Sequence, residues 1–139
     1  MPASQATIGL GTTFSYMVAT TPTLIGEAVS ITPPNPTRET VDVTHLASPN
    51  GTREFLGTLR DGGEVEVTFN FTDAAYAIAS SLFLEDGIQS FVIDYPDGAS
   101  EEFDGIVIGK PSEAIEVDSV RRFMLSIKVS GLPVYTEAA

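Results

Sequence analysis

The segment "GEVEVTFNF", residues 63–71, alternates apolar and polar side chains without a break. Successive side chains of an extended chain point to opposite faces, so Val65, Val67, Phe69 and Phe71 share one side and Glu64, Glu66, Thr68 and Asn70 the other. Such a pattern suits a strand with one face in a core and one in water. Two further segments repeat it: Val41 and Val43 against Thr40, Asp42 and Thr44, and Phe123, Leu125, Ile127 and Val129 within "RRFMLSIKVSG". These three strands are expected to share a core. The chain has no cysteine, hence no disulfide framework and no thiolate metal site, and its single histidine, His45, cannot supply an imidazole cluster. Packing alone must hold the fold.

Around these strands, "QSFVIDYPDGASEEFDGIVIG" predicts a hairpin with arms at 91–95 and 102–108 joined through Pro96-Asp97-Gly98. Further strands are expected at 14–19, 28–31 and 114–117. One segment breaks the alternation: "TDAAYAIASSLFLEDG" offers Thr72 or Asp73 as N-cap, apolar residues at Ala75, Ile78, Ala79 and Leu82, and Gly87 as a stop, predicting a helix over about 73–86. Its apolar stripe must lie on a sheet. The fold class is therefore mainly β, an antiparallel β-sandwich or barrel-like pair of sheets with one packed α-helix. With 139 residues, 42% hydrophobic and 19% charged, the chain reads as one folded domain over 1–139, without linker or internal repeat.

Several chemistries are disfavoured. The first residues, "MPASQATIGLGTTFSYMV", lack a charged n-region and a continuous apolar h-region, and no stretch approaches the ~20 apolar residues of a membrane span. A soluble protein made in a cytoplasm is expected, so the glycosylation-like triplets at Asn50 and Asn70 are read as chance. A Ser-His-Asp arrangement would need His45, which ends an alternating strand with no nucleophile-elbow pattern, so no enzyme and no catalytic residue are expected. The acid-rich "DYPDGASEEFD" lacks the alternating oxygen ligands of an EF-hand and is read as a solvated turn; no metal or cofactor is expected. "GLG" is too short for a phosphate cradle, and "TPPNPT" is read as a stiff connector rather than a polyproline ligand. Nineteen acidic against seven basic residues, a net charge of -12, oppose tight wrapping of nucleic acid, whose affinity comes from Lys and Arg on phosphates.

The unusual feature lies between the strand ending near Leu46 and the one beginning near Gly63. About sixteen residues separate them, whereas connections beyond roughly 12–15 residues are functional or disordered. Disorder predicts few large apolar groups, yet Phe55, Leu56 and Leu59 sit here among Gly, Asn, Arg and Asp. They must fold back on their own domain or dock on another chain, and docking is the sharper option.

The segment "VDVTHLASPNGTREFLGTLRDGGEVEVTFNF" resembles the signature segment of the tail tube, or major tail, proteins of long-tailed bacteriophages, the lambda-like tail tube family. The helix, the "FVIDYPDG" to "FDGIVIG" hairpin and the closing "VRRFMLSIKVSGLP" follow in the family's order, so the resemblance covers roughly 38–133. It implies a small β-sandwich with one helix, shared with tubes of contractile tails and type VI secretion, that assembles into stacked hexameric rings through which the genome leaves the capsid. It implies a long inter-subunit loop at about 46–63 carrying Arg53, Glu54, Phe55, Leu56, Leu59 and Arg60, and a virion location after synthesis in the bacterial host. The implied partners are further copies of the chain, tail tip and tail terminator proteins at the ends, the tape measure protein inside, and DNA passing without specific binding. No extra C-terminal immunoglobulin-like domain is expected after "LPVYTEAA", nor decoration of the outer surface. For the strands flanking the loop the resemblance favours the channel, which would make Thr40, Asp42, Thr44, Glu64, Glu66, Thr68 and Asn70 lumen-facing.

Independently of any family, a conduit must not grip its cargo. Acidic groups repel phosphate over about a Debye length, roughly 8 Å, which keeps a duplex centred and free to slide, while uncharged hydroxyls keep the wall hydrated. The alternative function is a monomeric β-sandwich binding module, such as a carbohydrate-binding or tail accessory protein. A sugar platform usually presents Trp or Tyr, and this chain has no Trp and four Tyr.

Overall fold

The strands follow from the alternating segments. In the computed structural model, which describes residue 4 and residues 9–138, nine strands and one helix succeed one another as β1 (Thr13–Val18), β2 (Thr21–Leu24), β3 (Ala28–Thr32), β4 (Thr37–Asp42), β5 (Phe55–Asp61), β6 (Glu64–Asn70), α1 (Asp73–Leu84), β7 (Gln89–Asp94), β8 (Ser100–Gly109) and β9 (Arg122–Thr136). Seven form one antiparallel sheet in the order β2-β1-β7-β8-β9-β6-β3, while β4 and β5 pair only with each other. The register of β6 on β9 sets Val65 opposite Ile127, Val67 opposite Leu125 and Phe69 opposite Phe123. Each of these pairs is buried, and the alternate residues face out.

The large sheet is rolled. Strands β1 and β6 are separated by three others, about 19 Å across a flat sheet at ~4.8 Å per strand, yet the rings of Phe14 and Phe69 meet edge-on with centroids 6.2 Å apart. Phe14 stacks on Phe91, Phe91 on Phe103, and Phe69 on Phe123, at 5.7, 5.5 and 5.4 Å. Helix α1 packs on this core through Ala75, Ala79 and Leu82, spaced one and two turns apart. The Thr72 hydroxyl accepts the Ala75 N–H at 3.2 Å and caps its start. Close approach needs small residues here, because a Cβ added to Gly26 would lie 2.7 Å from Ala75 Cβ.

Three expectations are corrected, and one strand, β2, was not expected. Residues 46–63 are not one long loop, since 55–61 form β5. Val41 and Val43 do not reach the core; they are 51% and 39% exposed because β4 pairs with β5 and leaves the sheet that β6 and β9 share. No strand forms at 114–117, where the chain runs exposed between Ser112, which bridges Phe123, and β9. The short edge strand β2, "TPTL", lacks alternation, and its Pro22 is tolerated at a sheet edge.

Phe123 is fully buried, stacked on Phe69 and met edge-on by Tyr76 at 5.3 Å. Phe123→Ala is expected to cost the subunit about 3–5 kcal/mol and Thr72→Ala about 1 kcal/mol. Leu59→Ala, at a residue 85% exposed, should stay within about 0.5 kcal/mol. Urea denaturation of dispersed subunits checks the ranking, and a large loss at Leu59 would place that residue in the subunit's own core.

Candidate functional site

The β4–β5 hairpin stands on a root that admits no side chains. Gly63 has φ +81°, a conformation that strains other residues, and a Cβ there would lie 2.8 Å from the Asn35 carbonyl oxygen. At Gly62 a Cβ would meet Gly131 O and Val129 Cγ1, both at 2.5 Å. The Val129 N–H donates to Gly63 O at 3.0 Å, and Asp61 accepts from the Gly63 N–H at 2.8 Å. That N–H, then the Lys128 charge 3.6 Å away, hold the Asp61 carboxyl below its ordinary value.

The tip is polar and internally satisfied. The Thr44 hydroxyl accepts the Glu54 N–H at 2.8 Å, and Ser48 donates its hydroxyl proton to Glu54 Oε2 at 2.7 Å. His45 Nδ1 accepts the Ala47 N–H at 3.2 Å while Nε2 lies 3.4 Å from Glu54 Oε2. Asn50 turns the chain at φ +57°, and Arg53 reaches Asp42 at 2.9 Å. His45 therefore serves the local turn: its backbone N–H donates to Ser48 Oγ at 2.9 Å, and that hydroxyl gives its proton to Glu54 rather than to the imidazole.

What the hairpin leaves unsatisfied is apolar. Every residue of β4 and β5 is exposed. The register sets Val41 opposite Leu56 and Asp42 opposite Phe55. Neighbouring residues of a strand face opposite ways, so Phe55 and Leu56 open on different sides of the hairpin. They are 55% and 60% exposed, with Leu59 at 85% and Val41 at 51%. The sequence pointed to Phe55, Leu56 and Leu59; it missed Val41, because a half-exposed alternation looks the same whether its second face meets the chain's own core or another molecule.

The expected wet ribbon divides in two. Thr40 and Asp42 lie on β4 and Thr44 just past it, whereas Glu64, Glu66, Thr68 and Asn70 lie on the outer face of β6 in the other sheet. Beside them on β9 stand Lys128, Ser126, Met124 and Arg122, with Asn70 accepting from Arg122 Nε at 3.3 Å. Glu64 and Glu66 are exposed, and Thr68 and Asn70 are half-buried. Phe103 is buried in the core, so its neighbours Glu102 and Asp104 on β8 also face outward, and both are exposed. Among the described residues no three His, Asp or Glu are grouped to hold a metal ion, and no helix is long and apolar enough to cross a membrane. A groove of about 540 Å³ lies between β3, the β7–β8 turn and Tyr135. On its wall, burial and then the Glu101 carboxylate push Tyr95 up to about 12.

The hydroxyl of Thr44, then its backbone N–H, hold the Asp42 carboxyl below its ordinary 3.8, with a smaller contribution from Arg53. A depressed folded value means that this stabilisation of the tip is present above the unfolded value and is lost as pH falls through the folded one. Asp42 should titrate below 3.8 by carboxyl-detected NMR, and Thr44→Ala should move its midpoint upward; an unmoved midpoint would contradict the Thr44 contact.

Known proteins share this architecture. The tail of an empty gene transfer agent particle, from a helical refinement with C6 symmetry, superposes with a TM-score of 0.77 at 21% identity, covering 95% of this chain and 100% of that chain. The SPP1 tail tube gives a TM-score of 0.67 at 11% identity over 95% and 80% of the two chains. A chain of the anti-feeding prophage baseplate gives 0.72 at 10% identity over 96% and 97%. At such identities the likeness shows a common fold. No curated protein matches by sequence. The family model for the lambda phage tail tube protein matches residues 8–136, nearly the whole of the rolled sheet, hairpin and helix, and the chain therefore belongs to the lambda phage tail tube protein family.

Proposed function

We propose that copies of this chain assemble into hexameric rings that stack into a tube, with the β4–β5 hairpin as the principal contact between copies and the outer face of β6 on the channel wall. Membership of the tail tube family makes the chain a structural component of the virion tail rather than an enzyme. The observation that carries the assembly reading is the hairpin with apolar side chains open on both faces. A two-stranded ribbon is marginal in water by itself, and burying both faces against neighbouring copies would order it. The likeness to a tail refined with six-fold symmetry supports a ring of six.

The channel reading rests on charge. Duplex DNA carries one negative charge per roughly 1.7 Å, and a basic wall would hold it at many sites together. Glu64 and Glu66, with Glu102 and Asp104 nearby on the same face, offer the opposite. Thr40, Asp42 and Thr44 belong to the hairpin and would line the channel only near its root and tip. The tape measure protein would occupy the same channel before the genome, and terminator and tip proteins would close the ends.

Since Phe55 and Leu56 face opposite ways, each single substitution removes a different contact. Phe55→Ser and Leu56→Ser should each leave a folded subunit by circular dichroism. Each should raise the concentration needed for tube growth by roughly 10- to 100-fold, the equivalent of about 1.5–3 kcal/mol per buried side chain. Electron microscopy across a concentration series checks this, and tubes from either variant at the parental threshold would remove that face from the interface. On the wall, Glu64→Lys with Glu66→Lys should still assemble but slow genome ejection, the delay shrinking as salt is added. Unchanged ejection with normal virion yield would move β6 off the channel.

A further inference from the structure

Of the seven Lys and Arg residues, five are engaged within the fold. Arg53 pairs with Asp42 and Lys128 with Asp61. Lys110 lies over the Tyr76 ring and Arg121 over that of Phe71, at 4.3 and 3.7 Å, and Arg122 donates to Asn70. Only Arg38 and Arg60 have no hydrogen-bond, ion-pair or ring partner among the described residues. They stand directly opposite each other in the β4–β5 register. Like charges at opposed positions destabilise a strand pair; of the two acids adjacent in sequence, Asp61 is already committed to Lys128 and the Gly63 N–H, and Glu39 follows Arg38 on β4 without an ion pair to either arginine. Gly57 leaves room for Arg38 to lie across the ribbon, since a Cβ there would meet Arg38 Cδ at 2.9 Å and Nη1 at 3.2 Å. Beside Arg60 a cleft of about 400 Å³, also lined by Glu39, Leu59 and Lys128, opens between the hairpin root and β9.

A complementary surface lies at the other end of the same subunit. Residues 113–120, "EAIEVDSV", are exposed throughout, with Ile115, Val117 and Val120 at 71%, 101% and 60%. Glu113, Glu116 and Asp118 are interleaved with them. Among the described residues the backbone from 114 to 118 makes one protein hydrogen bond, Ser119 N–H to Glu116 O at 3.5 Å. This segment enters β9 near Phe123, whereas the hairpin root touches β9 at Lys128 and Val129. Six residues of strand separate those points by about 20 Å, so the segment sits far from its own arginines. A copy stacked head to tail can bring the two ends together.

We propose that the Arg38–Arg60 pair and the adjoining Leu59 cleft receive the acidic, apolar segment 113–120 of a second copy of this chain. The proposal rests on the assembly reading above. It answers a specific difficulty: two copies carrying -12 each repel, and the unpartnered arginines are where that repulsion can be reversed locally. Carboxylates of the segment would sit between the two guanidinium groups, and Ile115 or Val117 would cover Leu59.

Charge reversal tests it. Arg38→Glu with Arg60→Glu should fold as the parent does by circular dichroism yet need at least about 10-fold more protein to form tubes. Adding Glu113→Lys, Glu116→Lys and Asp118→Lys in the same chain should restore most of that loss, and the three lysine changes alone should be as defective as the arginine pair. Arg38→Gln with Arg60→Gln provides a milder second variant should the reversed pair disturb the hairpin. Parental tube growth by the arginine variants would overturn the proposal and leave the pair facing cargo or solvent. Loss without restoration would overturn it too, assigning the arginines to a different acidic partner. If the parent chain formed no tubes at any concentration, the assembly reading would fall first, and this proposal with it.

Discussion

At Gly62 and Gly63 the chain passes through a gap in which any Cβ would collide with Gly131, Val129 or Asn35. This junction divides the molecule into two parts with different sources of stability. On one side lies the rolled sheet, whose phenylalanines and branched aliphatics are fully buried and supply the hydrophobic driving force that folds a domain. On the other lies a hairpin that buries nothing of its own. The tight root, with Gly63 O accepting from Val129 N–H and Asp61 held by Lys128, fixes the direction in which the hairpin leaves the sheet. A subunit built so can be stable while its reaching element is ordered mainly by what it meets.

Charge follows the same division. The outer faces of β6 and β8 present Glu64, Glu66, Glu102 and Asp104, a surface suited to repelling phosphate. The charges of the hairpin tip are engaged locally, Arg53 paired with Asp42 and Glu54 accepting from Ser48. At the root the balance is reversed, with Arg38 and Arg60 facing each other unpaired. Repulsion toward cargo and attraction between copies can therefore coexist in a chain of net charge -12, because they act at separate places and screened fields reach only about 8 Å.

How much of this was legible in the sequence depends on which signals are local. The alternation through Val65, Val67 and Phe69, and through Phe123 to Val129, specified core strands because period two states which residues share a face. The helix was legible from Thr72, Ala75, Ala79 and Leu82 for the same reason at period 3.6. Strand β5 was not, since "FLGTLRD" contains Gly57 and a bulge in its pairing with β4, and its extended form comes from its partner strand. Val41 and Val43 looked like core residues because alternation reports two faces without saying what covers either. The apolar trio Phe55, Leu56 and Leu59 did announce itself, since large apolar groups amid turn-forming residues need burial somewhere. That Phe55 and Leu56 serve opposite faces required the strand, and the Arg38–Arg60 opposition required its register.

The central claim is that the hairpin becomes firmly ordered only between copies, and amide hydrogen exchange measures this directly. In dispersed subunits the amides of 55–61 should exchange far faster than those of 123–129, which lie in the core of the sheet. In assembled tubes the 55–61 amides should slow by about 100-fold or more while the core strand changes little. Equal protection of 55–61 in both states would contradict the claim, showing that the hairpin is held by its own subunit.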